Sequence, residues 1–241
     1  MPEDAKREFE TEVAAWIKNG WLRPYDGACQ GLIPLMAVIQ HNKDKVRPVL
    51  DYRELNQYVS SHTGQSEVCG ERLRNWRQMG ANVKLLDLRK AYLQLHVAED
   101  LWKYQVVRFH GRTYCLTRLG FGLNVAPKIM SAIVHKILSM ESDVARGTDS
   151  YIDDIIVNED IVSCGKVKNL LTRYGLESKP EELLVGGRVL GLRVYQGEHS
   201  IMWKRDNLVK EMDDRMTKRD VFSICGQLVG HFPVVGWLRP M

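Results

Sequence analysis

Near the N-terminus the apolar positions recur on a helical period, with Phe9, Val13, Trp16 and Ile17 on one face. Pro2 opens that segment and Asn19-Gly20 supplies its stop. From Leu35 the pattern changes to that of extended chain. The runs Leu35 to Ile39 and Val46 to Tyr52 flank the polar stretch His41-Asn42-Lys43-Asp44-Lys45, which predicts a hairpin with a basic tip. Leu73, Trp76 and Met79 predict a short helix before Gly80, and Val83 to Leu86 a strand that runs straight into Asp87. Tyr104 to Phe109 and Arg112 to Thr117 predict a second hairpin across His110-Gly111.

Gly120-Phe121-Gly122 then breaks the extended pattern. A helix follows from Pro127, deeply packed because Ile129, Met130, Ile133, Val134, Ile137 and Leu138 form a broad apolar stripe. Tyr151 to Val157 reads as two half-strands around the acids Asp153 and Asp154. Val162, Val167, Leu170, Leu171 and Tyr174 predict a helix ending at Gly175, with short strands after it at Leu183 to Val185 and Val189 to Val194. Thr217 and Asp220 make a capping pattern for a last helix reaching Phe232. Hairpins outnumber strand-helix-strand units, which predicts an α+β architecture with a mostly antiparallel sheet.

Composition bounds what such a chain can be. With 241 residues, 44% apolar and 27% charged, it has the material for one large domain or two small subdomains, each with a real core. The 34 Lys and Arg against 30 Asp and Glu leave a net charge of +4, compatible with a polyanionic partner. The cations are unevenly placed: Arg72, Arg74, Arg77, Lys84, Arg89 and Lys90 crowd the stretch around Asp87. Phosphates would be drawn there in a salt-dependent way, the competing reading being a solvated helix face for Arg72 to Arg77. The 5 cysteines are scattered and lack zinc-ligand spacing, so reduced thiols in a cytoplasmic or nuclear setting are expected. Neither a secretory leader nor an apolar run of membrane-spanning length is visible, which predicts a chain that is not secreted and has no membrane partner.

Two adjacent carboxylates at a tight turn repel each other unless a proton or a cation compensates. Mg²⁺ is the natural compensation for Asp153 and Asp154, because hard oxygen ligands suit it and it leaves positions for substrate phosphates. A third acid at another strand end, Asp87, would complete a two-metal site for phosphoryl transfer. Seen singly, these acids are also explained as a polar turn and a loop start.

Their surroundings add to that reading. Tyr151-Ile152-Asp153-Asp154 resembles the Tyr-x-Asp-Asp box of reverse transcriptases. Val46 to Asn56 looks like the fingers strand of retroelement polymerases, and Leu86-Asp87-Leu88-Arg89-Lys90-Ala91-Tyr92 like their first catalytic motif. Leu119 to Pro127 is similar to the Phe-Gly-Leu-x-x-Ala-Pro motif of the Ty3/gypsy branch of LTR retrotransposons. The resemblance runs in order from about Leu32 to Phe232. It implies a right-hand polymerase fold with fingers, an antiparallel palm sheet and a partial thumb. The expected segments are an N-terminal helix with fingers over 1–81, palm with the first catalytic motif and a hairpin over 82–118, palm with the Tyr-Ile-Asp-Asp hairpin and primer-grip-like strands over 119–200, and the beginning of a truncated thumb over 201–241.

Carried over by position, the resemblance implies that Asp87 and Asp153 bind two Mg²⁺ ions, for which Mn²⁺ substitutes, with Asp154 assisting. Arg47 is expected to stack on the incoming base and touch its α-phosphate, a task that suits a planar, permanently charged guanidinium. Either lysine of the Lys43-Asp44-Lys45 turn reaches toward the γ-phosphate, Lys43 being preferred. Tyr92 is the expected steric gate against a 2′-hydroxyl, and Phe121 and Gly122 are expected near the 3′ side of the sugar. Asn124-Val125 departs from the Thr-Asn usual in that branch, so no contact is assigned there. Lys179 is either a general acid for departing pyrophosphate or a surface cation. Primer and template contacts are expected at Tyr151, at Leu190 and Gly191 in a primer-grip-like hairpin, and at Gly226 and Gly230 on the last helix.

The implied activity is RNA- and DNA-templated DNA synthesis from deoxynucleoside triphosphates on a primed template, in a retroelement particle or the nucleus. The remainder of a Pol polyprotein or a partner chain would supply what a truncated thumb lacks. Two other readings compete: a weak or inactive fragment that only binds nucleic acid, and the palm of an RNA-dependent RNA polymerase.

Overall fold

The computed structural model describes residues 2–40, 45–60, 72, 75, 76, 78–189, 192–196, 201–204 and 216–229. The Glu3–Lys18 helix carries Glu3 and Asp4 in its first turn and Lys18 in its last, which complements the helix dipole. Gly20 closes it at a left-handed φ of 68°, a conformation open to glycine without steric cost. The first strands are β1 (Leu22–Pro24), β2 (Leu35–Gln40), β3 (Lys45–Leu50) and β4 (Val83–Asp87). Then come β5 (Val106–Phe109), β6 (Arg112–Leu116), and the helices Ala126–Leu138 and Ser142–Gly147. The strands β7 (Thr148–Tyr151) and β8 (Asp154–Asn158) precede the Cys164–Arg173 helix. Last are β9 (Glu182–Leu183), β10 (Arg188–Val189), β11 (Leu192–Gln196), β12 (Ile201–Lys204) and the Lys218–Val229 helix.

Among the described residues the strands form four sheets in the orders β1-β6-β5, β2-β3, β7-β8-β4-β9 and β10-β11-β12. Every strand pairing within them is antiparallel. The result is a mixed helix and sheet fold. Two units share the chain: one comprises Met1–Thr63, Arg89–Ile133 and Gly175–Glu177, the other Gly64–Leu88, Val134–Tyr174 and Ser178–Met241. Each is discontinuous in sequence because its strands pair across long separations, as when β4 takes β8 on one side and β9 on the other.

In the first unit, Val13 and Trp16 of the first helix pack with Leu22, Ile33, Leu50, Tyr52, Val107, Tyr114 and Leu116. Tyr52 is 2% exposed and donates its hydroxyl to Gln105 Oε1 at 2.7 Å, while burial pushes the phenol pKa up. Gln105 is buried too, and its amide donates to the carbonyls of Leu116 and Arg118 at 3.1 and 3.0 Å. A buried polar pair is tolerable only when satisfied in this way.

In the second unit the central strands are buried on both faces. Ile155, Ile156 and Val157 of β8 are all inaccessible, as is Leu86 of β4. Trp76 anchors the core formed by Val83, Leu85, Ile156, Leu184, Val189, Leu192, Val194 and Ile201. Its indole Nε1 donates to Asp149 Oδ2 at 2.8 Å. The Cys164–Arg173 helix is capped by Ser163 and buries Val167, Leu170 and Leu171. The Thr217 and Asp220 capping pattern is realised in both directions, Thr217 Oγ1 donating to Asp220 Oδ2 at 2.6 Å and Asp220 N donating to Thr217 Oγ1 at 3.3 Å.

Local differences from the sequence reading have simple causes. Tyr104 ends a 3₁₀ segment, Glu99–Tyr104, and the strand starts only at Val106. β1, β12 and the Ser142–Gly147 helix are too short to establish a hydrophobic period. Residues 41–44, with Lys43, and Leu190, Gly191 and Gly230 lie outside the described residues.

Gly120 sets up a direct test of the first core. A Cβ there would lie 2.0 Å from the Tyr52 hydroxyl, which is buried and held by Gln105. Gly120→Ala is expected to destabilise the protein by roughly 1–3 kcal/mol in urea unfolding, the usual cost of overpacking.

Candidate active site

The β7-β8 hairpin turns on two residues, since Tyr151 pairs with Asp154 and leaves Ile152-Asp153 as the loop. Ile152 has a φ of 59°. A positive φ at the first loop position belongs to the turns that match the twist of a hairpin, and glycine normally occupies it. A β-branched residue there is strained, at a cost of order 1–3 kcal/mol. The neighbouring strands hold the turn: β8 is inaccessible from Ile155 to Val157, and Tyr151 packs against the Trp76 core.

Asp87 ends β4 directly opposite Asp154 in the antiparallel register. The Leu88 N–H donates to the Asp153 carbonyl at 3.3 Å, which fastens the turn to the end of β4. The register therefore gathers Asp87, Asp153 and Asp154 at one sheet end. Lys179 joins them through its backbone and its side chain. Its N–H donates to the Asp87 carbonyl at 2.8 Å, Leu88 and Ser178 form an antiparallel bridge, and Nζ lies 2.6 Å from Asp87 Oδ2.

The electrostatics follow from this crowding. Burial pushes the Asp154 carboxyl up to about 6, the negative charges of Asp153 and Asp87 add to the shift, and Lys179 opposes it. Asp153 is also raised, chiefly by burial with a contribution from Asp87, against a backbone hydrogen bond and Lys179. The donor set fits a hard divalent cation, being all carboxylate oxygen and repelled within itself, with one ammonium already drawn in. Asp87, Asp153 and Asp154 are the residues that could hold such an ion. As they stand, no three Asp, Glu, His or Cys side chains among the described residues converge on a metal position. Lys179 instead occupies an oxygen of Asp87.

The remaining described candidates fall elsewhere. Arg47 is exposed on β3, opposite Val38. Tyr92 sits in the 3₁₀ segment Ala91–Gln94, and its ring lies 5.7 Å from that of Phe121 at an interplanar angle of 60°. Phe121 is 64% exposed, and Gly122 takes a φ of 108°. These four belong to the first unit and the acids to the second. Gly226 lies within the Lys218–Val229 helix.

Several of the cations clustered near Asp87 in sequence already have acidic partners. Arg72 pairs with Asp149, Lys84 with Glu159 at 3.0 Å, and Lys90 with Glu12 at 2.6 Å. Proximity in sequence thus overstates the positive charge left for phosphates. The sequence reading also missed Asn56, which donates to the Gly122 carbonyl and accepts from the Asn124 N–H, each at 2.9 Å. Nothing local distinguishes it from an ordinary loop asparagine.

Comparison with known proteins bears on this arrangement. The structure of the foamy viral protease-reverse transcriptase in complex with dsDNA superposes with a TM-score of 0.70 at 21% identity, over 95% of this chain and 48% of that one. In fold, the chain resembles a reverse transcriptase. The native prototype foamy virus protease-reverse transcriptase gives a TM-score of 0.62 at 19% identity, over 95% of this chain and 31% of that one. An uncharacterized protein of Caenorhabditis elegans is 27% identical over 163 residues, 66% of this chain and 12% of the relative. The chain spans less than half the length of each of these three. A family model described as Domain of unknown function (DUF7047) matches residues 217–241. Among the described residues no helix is long and apolar enough to cross a membrane.

The raised Asp154 makes stability depend on pH in a definite direction. At low pH the carboxyl is protonated in both folded and unfolded chains and contributes nothing. As pH rises toward and through about 6 the unfolded chain ionises more readily, so stability is lost and the loss is complete above that value. In EDTA at pH 8, Asp154→Asn is expected to unfold at higher urea, by on the order of 1–2 kcal/mol once partial exposure is discounted. That advantage should vanish at about pH 3.5.

Proposed function

We propose that this chain is the polymerase core of a reverse transcriptase of the Ty3/gypsy retroelement type, extending a primer on an RNA or DNA template. The observation that carries the reading is the register that sets Asp87 against Asp154, with Asp153 at the turn, in a fold that resembles a reverse transcriptase. In this reading the second unit holds the palm acids, and the hairpin with Arg47 belongs to the fingers. Tyr151, Leu190, Gly191, Gly226 and Gly230 are the proposed primer and template contacts.

Two Mg²⁺ ions, or Mn²⁺ in their place, would supply the charge neutralisation that phosphoryl transfer from a deoxynucleoside triphosphate requires. The chain's own part is placement and exclusion. Asp87 and Asp154 present oxygens from the ends of paired strands, so their separation is set by a buried sheet, and Asp153 sits in the two-residue turn that joins β7 to β8. Arg47 offers a fixed fork of donors to the triphosphate. The Tyr92 ring, braced against Phe121, would meet a ribose 2′-hydroxyl but not a deoxyribose. Lys179 Nζ lies beside Asp87 and is the proposed proton donor to the departing pyrophosphate. Selection by the Tyr92 ring favours DNA synthesis over RNA synthesis.

Primer extension on an RNA template with Mg²⁺ or Mn²⁺ tests the reading. The chain should add deoxynucleotides, EDTA should stop it, and Asp153→Asn should lower the rate by roughly 10²-fold or more. A wild-type chain that adds nothing, or an Asp153→Asn variant that extends equally well, refutes the assignment. Binding of Mn²⁺ gives an independent check without turnover. Because Lys179 and a divalent ion compete for Asp87 Oδ2, Lys179→Met is expected to bind Mn²⁺ several-fold more tightly by calorimetry.

A further inference from the structure

We infer that Asn56 is a positioning residue for sugar selection, because its side chain latches the Gly120–Asn124 loop and so fixes Phe121 against Tyr92. The inference rests on the polymerase reading, in which that ring pair meets the sugar of the incoming nucleotide.

Phe121 is largely exposed, so packing around its own ring does little to hold it. Its position is set by the backbone on either side of it. On the near side, Gly120 lies against Tyr52 so closely that no side chain fits between them. On the far side, Asn56 Nδ2 donates to the Gly122 carbonyl at 2.9 Å, and Asn56 Oδ1 accepts from the Asn124 N–H at 2.9 Å. The two bonds use both ends of one amide and bracket Leu123, next to Gly122, whose φ of 108° leaves the loop without regular structure to stiffen it. A reverse contact runs from Asn124 Nδ2 to the Asn56 carbonyl at 3.4 Å.

Asn56 is itself rigidly mounted. Its N–H donates to the Tyr52 carbonyl at 2.8 Å, within the segment that leads into the Leu55–Gln57 3₁₀ turn. Tyr52 is tied in turn to buried Gln105. The route from core to ring is therefore continuous: Gln105 fixes Tyr52, Tyr52 fixes Asn56 and Gly120, and these fix the loop that presents Phe121. All of these residues belong to the first unit. A leucine at position 56 matches asparagine in size but offers neither bond, so the loop would gain freedom and the aromatic pair would lose its fixed spacing. Placement errors of this kind are felt in discrimination before they are felt in folding.

The test compares deoxy- with ribonucleotide incorporation, as the ratio of kcat/KM values, in wild type, Asn56→Leu, Asn56→Ser and Asn124→Ala. Asn56→Leu should lower the preference for deoxynucleotides roughly tenfold, mainly by raising ribonucleotide incorporation, with folding verified by urea unfolding. If that variant does not fold, the shorter Asn56→Ser, which cannot span both partners, carries the same expectation. Asn124→Ala keeps the backbone N–H that Asn56 accepts from, and should stay within about twofold of wild type. An unchanged preference in the folded position-56 variant, or an equal loss in Asn124→Ala, overturns the latch while leaving the polymerase reading intact. A wild-type chain that incorporates neither nucleotide overturns both.

Discussion

The pairing of β4 with β8 is the constraint on which the second unit depends. Both strands have buried apolar centres, Leu85 and Leu86 in β4 and Ile155 to Val157 in β8, so the pairing cannot slip by one residue without turning buried side chains toward the opposite face. That same register ends with Asp87 facing Asp154. The most hydrophobic part of the unit thus determines where its most strongly repelling charges meet. Burial of aliphatic strands supplies the stability, and the strand ends carry the electrostatic cost.

The cost appears in two forms. One is electrostatic: Asp153 and Asp154 are both raised by burial and by neighbouring negative charge. The other is conformational, since Ile152 takes a left-handed backbone at the turn between β7 and β8. Strain at a hairpin with paired strands on either side is the pattern of a site held in shape by its surroundings rather than by its own preferences. Lys179, an ammonium on a flexible stem, offsets part of that charge through its pair with Asp87.

Much of this was legible in the chain. The hairpins of β2 with β3 and β5 with β6, the Ala126–Leu138 helix and the two half-strands around the paired acids all follow from periodicity and turn residues. That Asp87 lies opposite Asp154 is less accessible, because register between strands so far apart in sequence is fixed by mutual burial and not by any local signal. The ion pair between Lys179 and Asp87 was hidden for the same reason. The basic cluster near Asp87 misled in the opposite sense, since Arg72, Lys84 and Lys90 are matched by acids remote in sequence, Asp149, Glu159 and Glu12. Asn56 escaped notice because a latch is defined by what it reaches, the Gly122 carbonyl and the Asn124 N–H, and neither is visible from residue 56 alone.

The interleaving of the two units bears on how the chain is made. β4 emerges from the ribosome as a strand whose two partners, β8 and β9, lie far downstream. Until they arrive it has two open edges and no native neighbour in its sheet. At translation rates of about 5–20 residues per second that interval lasts several seconds. During it, the strand that ends in Asp87 is open to pairing with a copy of itself or with another exposed strand. The long-range register that builds the acidic site therefore also leaves β4 unpaired for an interval during synthesis.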